Sequence, residues 1–210
     1  MKPNRIPLVF KIIYTAFVAV LVPYYWKAYG PTNFLYFCDV ALLLTCVAIW
    51  MENSLLISAS AVGILIPQAV WVIDFFGGII GHQPIGMTSY MFNPNLSLFT
   101  RGLSFFHFWL PFVLIWLIWR IGYDSRALKV WTVLAWGLIL IGYFVLPAPP
   151  APAVNPNLPV NVNYVFGLND QTPQTWMPAL VWLGVMLIGL PSLVYFPTHA
   201  ILKKLFHNKA

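Results

Sequence analysis

Charge is what this sequence has least of. Only 8% of its 210 residues are Asp, Glu, Lys or Arg, against about 25% in a soluble domain. That deficit excludes water as the solvent for most of the chain and points to lipid. Lys and Arg outnumber Asp and Glu by eleven to five, a formal net charge of +6. These cations sit at short tips between apolar runs, with no basic stripe and no nucleic-acid motif, so nucleic acid is not an expected partner. Charges placed this way set orientation in a membrane. Cysteine is nearly missing. Cys38 and Cys46 share one apolar run, where eight helical residues separate them by about 12 Å, too far for a disulfide. Both read as packing residues. The chain also lacks a Gly-rich phosphate loop and a GxSxG elbow, which removes the usual phosphate and serine-hydrolase signatures.

What the sequence has is long apolar runs: 60% of it is hydrophobic, with ten Trp and sixteen Phe. The run LSFFHFWLPFVLIWLIW, from Leu103 to Trp119, is the organising one. At 1.5 Å per residue it nearly crosses a hydrocarbon core of about 30 Å. Five more such runs predict an all-α polytopic membrane protein with one six-helix domain over residues 1–210. The expected spans are 7–26, 34–50, 54–76, 103–119, 130–146 and 177–196. Helix 1 ends in the aromatic belt Tyr24, Tyr25 and Trp26 rather than a cleavage site, so it reads as a span and not a signal peptide. Lys11 is expected to snorkel to the nearer surface. Two longer segments, Gly77 to Thr100 and Ala148 to Trp176, are rich in Gly, Pro and Asn and are read as irregular.

With a cytoplasmic N-terminus, nine cations fall on the cytoplasmic side: Lys2, Arg5, Lys11, Arg120, Arg126, Lys129, Lys203, Lys204 and Lys209. Lys27 and Arg101 fall on the other. The positive-inside rule then puts both termini in the cytoplasm and both long segments on the outer face, as expected of an inner (plasma) membrane protein of a bacterium.

That topology gathers polar groups. Asp39 near the start of span 2, His107 near the start of span 4 and Asp74 near the end of span 3 all fall about 3–8 Å below the outer boundary. Tyr36, three residues before Asp39, shares its face. These four are the candidate catalytic groups; Gln68, Arg101, Asn33 and Ser104 are the candidate substrate-binding ones. Each also has a structural reading: Asp39 pairs within the bundle, Asp74 is wet, His107 makes a packing hydrogen bond, and Tyr36 is an interface aromatic. Pro67, Pro111 and Pro191 are positioned to kink spans 3, 4 and 6. A metal site from His107, Asp39, Asp74 and His82 has no short ligand motif behind it. Paired haem ligands are also not expected, since His199 and His207 follow span 6. No cofactor and no metal are expected.

Two words in the chain carry a family resemblance. FLYFCD, Phe34 to Asp39, follows the Tyr29–Gly30 turn, and HFWLPFVLIW runs from His107 to Trp116. They resemble the androgen-induced and androgen-dependent six-helix membrane hydrolases, threonine hydrolases acting on fatty acid esters of hydroxy fatty acids. The resemblance implies His107 as the catalytic histidine and puts Tyr36 where those proteins have their nucleophilic threonine. A phenol is not the usual acyl-transfer nucleophile. The candidate substitutes are Tyr36 itself, Thr32 in the preceding turn and Ser104 one turn before His107; Cys38 neighbours Asp39 rather than sharing its face.

The leading expectation is a membrane-embedded hydrolase of a lipid or fatty-acyl ester at the outer leaflet. His107 is its general base, oriented by Asp39 or Asp74, with Arg101 and the loop asparagines holding the head group. A non-catalytic lipid-binding subunit or assembly factor, associated with other membrane proteins, fits the Thr-to-Tyr change. A small-molecule transporter is the third class; its midplane polar groups are lacking.

Overall fold

The structure is a computed structural model describing residues 6–206, and among these the only regular secondary structure is helix. Lys2, Arg5, Lys209 and His207 lie outside the described residues. Helix α1 spans Leu8–Tyr29 and closes on Gly30. A 3-10 turn, Pro31–Leu35, leads to α2, Phe37–Met51. Helix α3, Ser54–Ile79, starts on an Asn53 side chain that accepts from Leu56 N at 3.1 Å, an ordinary N-cap. After the segment 80–97 come α4, Leu98–Ser104, and α5, Phe106–Ile121. Helix α6 is Ala127–Phe144. Following the Pro-rich segment, α7 (Ala179–Leu190), a π-helical turn (Pro191–Tyr195) and α8 (Phe196–Phe206) form one rod.

Five of these stretches are long and apolar enough to cross a membrane: 8–29, 54–79, 98–121, 127–144 and 179–206. Helix α2 is apolar but only 15 residues long, about 22 Å; the 3-10 turn before it makes up part of the difference. Ile13, Phe112, Val133, Leu180, Ile188 and Leu193 are each more than half exposed. In water such a surface would aggregate, whereas beside lipid chains it is satisfied.

Helix α3 is the hub. It packs on α2, α5, α6 and the last rod, and 56% of its apolar window is buried against 22% for α1. Close approach is built in at Gly63, where an added Cβ would fall inside the indole of fully buried Trp131 on α6.

Two local expectations are corrected, and one interruption of a span was not expected. The break in the fourth span lies at Phe105 (ψ −3°), between α4 and α5, while Pro111 sits within continuous α5 and Pro67 within continuous α3. Arg101 and the residues from Leu98 on are therefore helical, not loop. Lys11 does not snorkel. It is 4% exposed and its Nζ donates to Glu52 Oε1 at 2.8 Å, because Glu52, in left-handed conformation at the α2 C-terminus, turns back onto α1.

The chain runs up and down, so the segments 30–36, 80–97 and 145–178 gather at one end, the loop end. The α2–α3 and α5–α6 connections lie at the other.

Candidate functional site

His107 lies in the first turn of α5, just past the Phe105 break, and faces α3. Its Nδ1 is 3.2 Å from Gln68 Nε2. The ring lies against Trp71, 5.3 Å between centroids, and Phe106, 4.1 Å. Trp71 stacks on Phe75 and donates from Nε1 to the Tyr90 hydroxyl at 3.2 Å. Pro111 has no N–H to return to the His107 carbonyl, which loosens this turn of helix. The imidazole is thus held by a neutral amide inside an aromatic cage.

Asp39 occupies the third position of α2, where the helix dipole favours an acid. It is 4% exposed, and its neighbours supply little: the Cys38 thiol lies 3.8 Å from Oδ2, and Oδ1 has no partner. The Tyr25 hydroxyl shares a 2.7 Å hydrogen bond with Ser104 Oγ. Asp39 is thirteen residues from Glu52 and Gln68 fifteen from Asn53, so on packed antiparallel helices they stand about 20 and 22 Å above the same turn. Asp39, Gln68 and, through Gln68, His107 therefore share one level.

Among the described residues, six buried side-chain N or O atoms lack a hydrogen-bond partner. Four belong to the loop end: Thr32 Oγ1, Asp39 Oδ1, Gln68 Oε1 and Arg101 Nε. The other two, Trp131 Nε1 and the Tyr195 hydroxyl, belong to an edge-to-face ring pair in the core. Unsatisfied buried polar atoms are costly, so these four make the loop end the candidate region.

The remaining expected residues go elsewhere. Asp74 is fully buried with its lone pairs committed to the segment that follows α3. Oδ1 accepts from Ile85 N and Gly86 N at 2.8 and 2.9 Å, and Oδ2 accepts from Thr88 N and Oγ1 at 2.8 and 2.7 Å. It clamps that loop and does not orient His107. Tyr36 donates to Val160 O at 3.3 Å and lines a surface cavity of about 350 Å³ with Pro150, Pro159, Asp170 and Gln171. It stands between the Pro-rich segment and α2, and is not joined to His107. Arg101 donates from Nη1 to Met91 O at 3.2 Å. Asn33 contributes backbone bonds within its 3-10 turn.

Sequence reasoning missed Tyr90 and Trp71, and it missed Asn163. Asn163 Oδ1 accepts from Phe37 N at 2.9 Å, capping α2, and Nδ2 donates to Leu35 O at 2.9 Å. Asn161 ties down the same segment by donating to Gly167 O and accepting from Phe166 N. Both asparagines are left-handed, φ 51° and 61°, a conformation Asn tolerates. The alternation N-V-N is the one available signal.

The long apolar helices, with a buried polar cluster at one end, fit a helical integral membrane protein. No family model, no curated protein and no solved structure matches the chain.

Proposed function

We propose that the chain crosses a bacterial inner membrane six times, with both termini cytoplasmic, and holds a lipid-like molecule by its polar head without turning it over. The cation asymmetry supports the orientation, and α2 extended by its 3-10 turn supplies the sixth span. The observation that carries the binding reading is that Asp39, Gln68 and Arg101, all toward the loop end, each keep a buried polar atom without a partner. A head group supplies the partners they lack, while its chains lie along lipid-facing helix surface. Binding is favoured over hydrolysis because no carboxylate contacts His107 among the described residues. Gln68 cannot stabilise an imidazolium as an acid does, and both Asp74 and Tyr36 are bonded elsewhere.

One observation keeps the fatty-acyl ester hydrolase as a second reading. Turning the Gln68 amide over places its partnerless Oε1 on His107 Nδ1–H and leaves Nε2 free as a base. Purified wild type and H107A, assayed with fatty-acyl ester probes and by mass spectrometry of extracted lipid, separate the two. Retained lipid with no turnover supports binding. Turnover in wild type that disappears in folded H107A would establish the hydrolase instead.

A further inference from the structure

The Pro-rich segment encloses a cavity that none of the buried polar groups of α2 and α3 lines. Its volume is about 350 Å³, toward the lower end of the range that small-molecule sites occupy. Tyr36, Asp170 and Gln171 meet there with residues from the stretch 150–160, among them Pro150, Pro156 and Pro159. Pro159 and Val160 are buried and Tyr36 is half-buried, so packed chain backs the cavity. Its wall is rich in acceptors and short of donors. A proline presents a carbonyl and no N–H. The Leu158 and Gln171 N–H groups are already bonded, to Asn155 O and Asn169 Oδ1, and the Tyr36 hydroxyl donates to Val160 O.

Asp170 brings the one formal charge among the lining residues. Its Oδ1 lies 3.1 Å from Asn161 Nδ2, which also reaches Gly167 O at 2.8 Å and Asn169 O at 3.3 Å. Two amide hydrogens do not fully serve three acceptors. No Lys or Arg pairs with the carboxylate among the described residues. The buried Asn161 thus holds Asp170 in place while leaving it short of donors and without a counter-ion.

From this juxtaposition we propose that the cavity binds a small alkylammonium, its charged end on Asp170 and its alkyl part along the proline rings. A primary ammonium brings three N–H donors to a wall of carboxylate, phenol and carbonyl oxygens. A tyrosine ring among the lining residues adds an electron-rich face for the cation. The prolines, with φ already fixed, lose little freedom when the wall is ordered by a ligand. This assignment goes beyond the head-group reading and does not rest on it.

Hydrogen exchange across the Pro-rich segment of the full-length, detergent-purified chain tests it, with n-butylammonium chloride titrated against sodium chloride at equal ionic strength. In wild type the amine should slow exchange there with a half-effect on the order of 1 mM, and butan-1-ol, which lacks the charge, should not. D170N should raise that half-effect by about tenfold or more. Q171E, which adds a second carboxylate to the wall, should lower it, a gain that a misfolded segment would not give. Nanodiscs of phosphatidylethanolamine or phosphatidylcholine, with no amine added, distinguish the sources. Protection in the ethanolamine lipid alone, lost in D170N, would keep the assignment and make a lipid head group the source, whereas protection that needs the added amine identifies a soluble one. Equal protection of wild type and D170N by butylammonium, equal protection by butan-1-ol, or none in wild type would overturn the proposal.

Discussion

Four hydrogen bonds converge on the Asp74 carboxylate, all from residues 85–88. Asp74→Ala leaves three backbone N–H groups and a hydroxyl seeking new partners. It should cost about 3 kcal/mol or more, and protease should cut within 80–92 before the rest of the chain; unchanged melting and cutting would refute the clamp. Asn163 plays the equivalent part for the second segment. Asn163→Leu should lower stability by about 2 kcal/mol, read from thermal unfolding, by exposing the α2 N-terminus. At this scale the sequence was legible only in part. The places of Asp39 and His107, each near the start of a helix, followed from counting residues along helices. Asp74 was counted to the same depth, but depth carries no information on which backbone groups a later loop will present. Gln68, placed on α3 by the same counting, proved to be the group His107 meets.

Two contacts between elements make sharper tests. Lys11 and Glu52 tie the start of α1 to the end of α2, with side chains 5% and 22% exposed. Breaking a buried pair from one side strands a charge and costs about 3–5 kcal/mol, while removing both partners is much milder. E52Q, which leaves the buried Lys11 ammonium without its acid, should therefore melt well below K11M/E52Q; equal melting of the two would mean the pair is solvated. Gly63 admits the Trp131 indole. G63A should cost about 1–3 kcal/mol by overpacking, and W131L in the same chain should recover part of that loss. The spans were legible as apolar runs because the bilayer sets their length. Their ends were not: the fourth starts at Leu98 and is interrupted at Phe105, and the last rod continues to Phe206 through a π-helical turn.

The whole molecule is a bundle whose loop end is built over α2 by the Pro-rich segment, and that segment should respond to pH. Burial raises the Asp170 carboxyl above its ordinary range, opposed by the Asn161 hydrogen bond. A raised folded pKa means the folded state holds the proton more tightly than the unfolded one. Its contribution is complete below about pH 3.9 and is lost as pH rises through the folded value. D170N should thus stabilise the segment at pH 7 and flatten its pH dependence just above pH 4. At the opposite end Asp124 is held low, chiefly by its hydrogen bond from Arg126, so that contribution is present at neutral pH and fades on acidification. Hydrogen exchange of residues 150–175 across pH 4–7 separates the two. The all-helical, membrane-spanning character was legible from composition alone, because lipid leaves few alternatives. The partners of the buried polar side chains were not, because they depend on how α1–α5 pack.

The most direct measurement is native mass spectrometry of the detergent-purified chain, wild type beside D39A/Q68L. Wild type should carry a lipid-sized adduct that the folded double variant releases. A wild-type mass equal to the bare polypeptide, or an adduct the variant keeps unchanged, would contradict the pocket as a head-group site.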